Sequence, residues 1–264
     1  MTTRVLVSGS GRMGREVLAA VARQPDMQPV AVVDFFAREE YLSLPEGAGL
    51  LPFGADPAAL IQRTGPDVVV DFTNAEWTPR LAREALEAGV RLVIGTSGLP
   101  DGFLKDLEGE CRKRGVGAVV ASNFALGAVL MQHLARIAGR FFDYAEVIEL
   151  HHESKVDAPS GTAIATAKGM AEERGKPFVR PPTERENLPG TRGGELGGVT
   201  IHSVRLPGLV AHQEVILGGQ GETLRIQHDS ISRESFMPGV LLAIREVLNR
   251  NELVLGLDRL IGLA

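Results

Sequence analysis

His151, His152 and Lys155 crowd into one short segment that runs directly into Pro159-Ser160-Gly161-Thr162. Imidazole exchanges a proton near neutral pH, and an ammonium four residues on adds a positive charge and further protons. His151 and Lys155 share a face whether the segment is a strand of period two or a helix at i, i+4. Ser160, Gly161 and Thr162 precede a run of good helix formers, Ala163 to Glu173, so they should offer free backbone N–H groups where a helix begins. Such an end binds carboxylate or phosphate. Proton donor, cation and anion cradle together fit a small acidic substrate. Taken singly, the same residues also fit solvated strand-end positions and, for Ser160, an N-cap. No metal is expected: the histidine pair has no third ligand at a recognisable spacing, and Cys111 is the only cysteine.

A second constellation lies near the N-terminus. Arg4 to Ser8 reads as a short apolar strand, and Gly9-Ser10-Gly11-Arg12-Met13-Gly14 follows it into a helix carrying Val17, Leu18 and Val21. Strand, G-x-G-x-x-G and helix form a dinucleotide loop, whose glycines allow a tight turn and the close approach of a pyrophosphate. The next strand, Pro29 to Val33, ends at Asp34, twenty residues after Gly14, where an acid takes the adenosine ribose hydroxyls. A free carboxylate there repels a 2′-phosphate, and Phe35 and Phe36 follow it, so NADH is favoured over NADPH. Arg38 is the nearest cation that could reach such a phosphate.

Both constellations need a framework. Asp67 to Thr73, Arg91 to Ile94 and Val116 to Ala121 read as buried parallel strands. They alternate with helices at Pro57 to Arg63, Pro79 to Ala88 and Phe103 to Arg114, and the rest of Tyr41 to Thr64 is irregular. Ligands bind outside the carboxyl ends of such strands, which points to Gly95-Thr96-Ser97 and Ala121-Ser122-Asn123-Phe124, although Gly and Asn are also plain turn formers. Ala125 to Gly139 is an amphipathic helix with Val129, Leu130, Leu134 and Ile137 on its apolar side. A strand from Glu146 to Leu150 leads into the His-Lys segment. Gly175 to Gly198, rich in proline and glycine, has the length of a lid or an oligomer arm, with Arg180, Arg185 and Arg192 as solvated charges. Strands at Val199 to Leu206, His212 to Leu217 and Glu222 to Ser230 suit an antiparallel meander, followed by a helix from Phe236 to Asn249 and an apolar tail. The fold expected is α/β: an N-terminal Rossmann-like doubly wound parallel sheet plus a C-terminal α+β domain for substrate and oligomerisation.

With 264 residues, 44% hydrophobic and 23% charged, the chain has room for two modest cores. A net charge of −5 argues against a general partner among nucleic acids or anionic membranes. No apolar h-region precedes the first strand and no apolar stretch approaches the ~20 residues of a membrane span, so the expected compartment is the cytoplasm.

The stretch Glu149-Leu150-His151-His152-Glu153-Ser154-Lys155-Val156-Asp157-Ala158-Pro159-Ser160-Gly161-Thr162-Ala163 resembles the E-x-H-H-x-x-K-x-D-A-P-S-G-T-A signature of the dihydrodipicolinate reductase family. Asp71-Phe72-Thr73, Gly95-Thr96-Ser97, Ala121-Ser122-Asn123-Phe124 and Arg205-Leu206-Pro207-Gly208 also match its segments, so the likeness runs through nearly the whole chain. The glycine loop is one residue shorter than the family's G-x-x-G-R-M-G form. The resemblance implies reduction of 4-hydroxy-tetrahydrodipicolinate to tetrahydrodipicolinate by NADH or NADPH. It further implies His151 as general acid/base, Lys155 as second proton donor, and His152, Ser160, Gly161 and Thr162 around a dicarboxylate substrate. The cofactor would meet Gly9 to Gly14, Asp34, residues 95–97 and residues 121–124. A homotetramer is implied, with residues 1–125 binding dinucleotide, 126–235 serving substrate and tetramerisation, and 236–264 returning to the first domain. Two other readings would keep the dinucleotide loop: a dehydrogenase for another small acid, and a nicotinamide-dependent sensor without turnover. A carboxylate beside His151 would be expected to raise its pKa.

Overall fold

The structure is a computed structural model that describes residues 2–44 and 49–263. Residues 45–48, inside the stretch read as irregular, lie outside the described residues. The chain divides into two compact units, one running to Leu126 and resuming at Arg233, the other Gly127–Ser232.

The first unit is built on β1 (Thr3–Ser8), β2 (Met27–Val33), β3 (Tyr41–Ser43), β4 (Leu50–Gly54), β5 (Val68–Asp71), β6 (Arg91–Ile94), β7 (Ala118–Val120) and β13 (Leu253–Leu255). They form one sheet in the order β13-β7-β6-β5-β1-β2-β4-β3, parallel except for β3 against β4. Its near-continuous Val, Leu and Ile strands are those of a sheet covered on both faces. Leu6, Val69, Leu92 and Ile94 share a core with α2 (Pro57–Thr64), α3 (Thr78–Glu87) and α4 (Asp101–Arg114). Outside that core, α1 (Arg12–Ala22) packs against α7 (Met237–Val247). This is the doubly wound layout expected, and its strand order reverses between β1 and β5. The sequence reading missed β3 and β4, which are short and include Pro52. Cys111 fills the core, and burial pushes its thiol up to about 11.

The second unit holds the sheet β12-β11-β8-β10-β9, formed by β8 (Tyr144–His151), β9 (Gly194–Leu196), β10 (Val199–Arg205), β11 (Ala211–Gly219) and β12 (Glu222–Ser230). The expected meander is realised only for β11 and β12. β10 runs parallel to β8, and β11 lies antiparallel on its other side, so β8 separates strands that are neighbours in sequence. The link between them passes the end of β8, where the Leu206 N–H donates to the His151 carbonyl at 3.1 Å.

Helix α5 (Leu126–Gly139) buries Ala128, Val129, Met131, Ala135 and Gly139 and exposes Leu130, Leu134 and Ile137, three of the four residues assigned to its apolar side. Small residues let the helix sit close: a Cβ on Gly139 would lie 3.2 Å from Phe178. The proline-rich segment is pinned as well. Phe178 is buried, its N–H donates to the Gly197 carbonyl at 2.9 Å, and Arg192 pairs with Glu146 at 3.0 Å instead of standing as a solvated charge.

Candidate functional site

In the first unit the glycine loop follows β1 at the point where the strand order reverses. Gly9 has φ +99°, a left-handed value that favours glycine. A Cβ on Gly14 would lie 1.9 Å from the Gly9 carbonyl oxygen, so only glycine lets α1 start this close to the strand, whereas a Cβ on Gly11 would meet nothing within 4 Å. A backbone bent tightly on one side and open on the other fits a dinucleotide phosphate. Arg12, exposed, and Met13, half-buried, open α1.

Asp34 closes this loop. One of its oxygens accepts both the N–H and the hydroxyl of Ser10, each at 2.7 Å, and the other accepts the Phe36 N–H at 2.9 Å. Burial alone would raise its carboxyl, but these hydrogen bonds hold it below the ordinary carboxylate range. Phe36 is exposed and packs edge-on against Phe35, which reaches Trp77 in the same manner.

The ends of β5, β6 and β7 meet around two rings, Phe72 and Phe124, 5.3 Å apart between centroids. A Cβ on Gly95 would lie 2.0 Å from the Phe72 ring, so this glycine is a packing requirement. Thr96 is buried, its hydroxyl donating to Asp71 at 3.0 Å and accepting from the Thr73 N–H at 3.2 Å. Asp71 also accepts hydroxyls from Thr73 and Thr78, at 2.7 and 2.5 Å. Sequence reasoning assigned this carboxylate no part; its signal was an acid ending a run of three valines in a buried strand. Ser97 and Ser122 are exposed, Ala121 and Phe124 are buried, and Asn123 accepts the Ala125 N–H at 2.9 Å.

In the second unit the His-Lys segment is not one regular element. His151 ends β8, and a turn follows in which the Lys155 N–H donates to the His152 carbonyl at 3.2 Å. Lys155 Nζ donates to Asp157 at 2.6 Å, and His152 Nδ1 lies 2.8 Å from the Ser154 hydroxyl. Glu149, fully buried, is the hub. One oxygen meets His151 Nδ1 at 2.5 Å and Arg205 Nη1 at 2.8 Å. The other accepts the Ser160 N–H at 3.1 Å and Arg205 Nη2 at 2.8 Å. Burial opposes ionisation of Glu149, yet hydrogen bonds from Arg205, Ser203 and His151 bring its carboxyl down to about 2. Glu149 and Arg205 were both visible as fixed letters of their motifs; their pairing was not.

Two expectations change here. The carboxylate beside His151 is present, but the imidazole lies below its ordinary 6.5: burial lowers it, Glu149 raises it, and Lys155 and Arg205 lower it again. Burial is the largest of these effects, and the two cations add to it, so the anion does not offset it. Nor is the Ser160 N–H free, since Glu149 takes it, and the Ser160 hydroxyl caps α6 (Gly161–Arg174) by accepting the Ala163 N–H at 3.2 Å. The first helical bond runs from Ile164 to the Ser160 carbonyl, so Gly161 and Thr162 keep N–H groups without an acceptor among the described residues. Among those residues, no group of three or more His, Cys, Asp or Glu is placed to hold a metal, and no helix is long and apolar enough to cross a membrane.

Family models described as dihydrodipicolinate reductase, N-terminus and C-terminus, match residues 3–124 and 127–261. The chain belongs to the dihydrodipicolinate reductase family. It is 48% identical over 261 residues to the 4-hydroxy-tetrahydrodipicolinate reductase of Dehalococcoides mccartyi, covering 98% of each chain. The enzyme of the same name from Moorella thermoacetica is 48% identical over 265 residues, again with 98% of each covered. The dipicolinate-bound dihydrodipicolinate reductase of Paenisporosarcina sp. TG-14 superposes with a TM-score of 0.88 at 40% identity, over 98% of this chain and 99% of that one. An amine dehydrogenase from Mycobacterium smegmatis, at 14% identity and a TM-score of 0.68, shares the fold alone. Membership of the dihydrodipicolinate reductase family makes this an NAD(P)H-dependent oxidoreductase and bears out the resemblance carried by the segment from Glu149 to Ala163.

Proposed function

We propose that the chain reduces 4-hydroxy-tetrahydrodipicolinate to tetrahydrodipicolinate, with loss of water, in lysine and diaminopimelate biosynthesis. The observation that carries this reading is the buried Glu149, which joins a titratable imidazole to Ser160, the N-cap of α6, within a segment belonging to this family. Reduction of a conjugated cyclic imine needs a hydride at one ring atom and a proton at its neighbour. When bound, the reduced nicotinamide supplies the hydride. His151 is the proton donor, and Lys155 offsets substrate charge and can donate in its place. The N–H groups of Gly161 and Thr162 take one carboxylate at the N-terminus of α6, a geometry that favours anions. His152 contacts the other end of the substrate.

The cofactor is assigned to the loop from Gly9 to Gly14, with Asp34 at the adenosine ribose and residues 95–97 and 121–124 along the nicotinamide half. NADH is favoured over NADPH because an ionised Asp34 repels a 2′-phosphate. The enzyme is assigned to the cytoplasm and to a homotetramer assembled through its second domain, with domain limits at 1–125, 126–235 and 236–264.

The test is oxidation of NADH, then of NADPH, followed by nicotinamide absorbance, with the imine generated in situ from pyruvate and aspartate semialdehyde. Rapid imine-dependent oxidation, faster with NADH at equal concentration, is the expected result. A folded protein that binds NADH but turns over neither cofactor would rule out the assignment of His151 and Lys155 and favour a sensor.

A further inference from the structure

Glu149 and Arg205 do more than neutralise each other. An ionised carboxylate only accepts hydrogen bonds, so the nitrogen of His151 that faces Glu149 at 2.5 Å must carry a hydrogen. The same carboxylate takes the Ser160 N–H, while Arg205 Nη2 donates to the Asp157 carbonyl at 2.7 Å. The turn between His151 and α6, which carries Lys155, is thereby tied at both ends.

We propose that the Arg205–Glu149 pair is the positioning device of this site: it fixes His151 as the Nδ1–H tautomer, leaves Nε2 as the nitrogen that exchanges a proton with substrate, and registers the first turn of α6 to it. This rests on the assignment of His151 as proton donor made above. The cation is as necessary as the anion. A lone buried carboxylate would hold a second proton on the imidazole and make it reluctant to leave. The Arg205 fork takes up that charge through two parallel bonds, a geometry suited to guanidinium. The ring keeps its orientation without being locked in its charged form. The groups facing His151 are Glu149 on its own strand, Arg205 from β10 and Lys155 from the turn, while its register partner on β11 is the uncharged Ala211. Taking away the anion and taking away the cation should therefore move His151 in opposite directions. A merely structural pair would not do that.

The experiment is an NMR titration of ¹⁵N-histidine-labelled full-length enzyme without substrate, the His151 signals being assigned by their loss in H151Q. In the wild type, neutral His151 should carry its hydrogen on Nδ1. In E149Q its midpoint should fall, and in R205M rise, each by on the order of one pH unit. R205K, which keeps the charge and loses the fork, should rise less than R205M. E149Q should also lose at least tenfold in kcat with NADH affinity unchanged. A hydrogen on Nε2 in the wild type overturns the proposal even if no variant folds, and so do midpoints that stay put or move the same way. Wild-type enzyme that shows the stated tautomer but no turnover of the imine would sink the reaction assigned above and leave the hold of the pair on His151 standing.

Discussion

Ser10 reaches a single carboxylate oxygen of Asp34 twice, through its N–H and through its hydroxyl, each at 2.7 Å. The acid proposed above for the adenosine ribose thus also closes the glycine loop. Replacing Asp34 by Ala should remove both effects: NADH affinity falls at least tenfold, while repulsion of a 2′-phosphate disappears and NADPH loses less. Fluorescence titration with each nucleotide measures the ratio, and an equal loss for both would mean that Asp34 acts only on the loop.

The glycines of that loop are not equivalent. A Cβ at Gly14 would collide with the Gly9 carbonyl, and relieving that overlap by backbone movement costs about 1–3 kcal/mol. G14A should therefore lower the melting temperature and abolish nucleotide binding. G11A, whose Cβ meets nothing within 4 Å, should melt with the wild type. Thermal unfolding of the two variants side by side decides this, and equal melting would refute the packing role.

His151→Gln should cut turnover at least tenfold with little change in NADH binding. Because burial, helped by Lys155 and Arg205, keeps the imidazole below 6.5, the unliganded enzyme loses its protonated form as pH rises through that lowered value. For a proton donor, kcat/KM should then decline above a midpoint under 6.5. The midpoint in kcat should lie higher, since a bound dicarboxylate favours the imidazolium. A kcat/KM profile flat across that range would exclude His151 as the donor. Lys155→Ala should damage KM as well as kcat, because it also strips Asp157 of its partner and leaves a carboxylate near an anionic substrate.

The sequence made the framework legible wherever physics left a periodic trace. Buried parallel strands appear as runs such as Val68-Val69-Val70, and the loop from Gly9 to Gly14 announces itself by spacing. The His-Lys segment was legible as a cluster of side chains but not as a geometry. Periodicity puts His151 and Lys155 on one face of a regular element, whereas they flank a turn. Sheet order in the second unit left no local signal, since the insertion of β8 between β10 and β11 is a long-range pairing. For the same reason Arg205, 56 residues from Glu149, could not be paired with it in advance. On α5, apolar spacing selected Leu130, Leu134 and Ile137, but close packing chose the small residues Ala128, Ala135 and Gly139 instead.

Glu149 should also be visible in acid stability. Its carboxyl lies at about 2 in the folded chain against an ordinary 4.5. A depressed acid contributes its full stability above the unfolded value and loses it as pH falls toward the folded one, a difference worth about 3 kcal/mol here. Urea denaturation of wild type and E149Q should therefore show a stability gap at pH 7 that narrows as pH drops from 4.5 toward 2. A gap that does not depend on pH would assign the loss to packing instead of ionisation.

Asp71 should act on the proposed nucleotide site through the residues it holds. It is fully buried, no cation pairs with it among the described residues, and its oxygens are filled by the hydroxyls of Thr73, Thr78 and Thr96. Thr73 packs against the glycine loop, where a Cβ on Gly9 would lie 3.1 Å from its methyl group, and Thr96 belongs to the turn after β6. One carboxylate thus sets the ends of β5 and β6 and, through Thr73, the loop after β1. In D71N the amide presents hydrogens to hydroxyls that were donating, so at least one loses its acceptor, at a cost of about 1–3 kcal/mol. Stability should fall by that amount and the KM for NADH should rise several-fold. The KM for the imine should hold, because His151 and Gly161 belong to the other unit. Steady-state kinetics with each substrate varied in turn separates these effects, and a rise confined to the imine would contradict this role for Asp71.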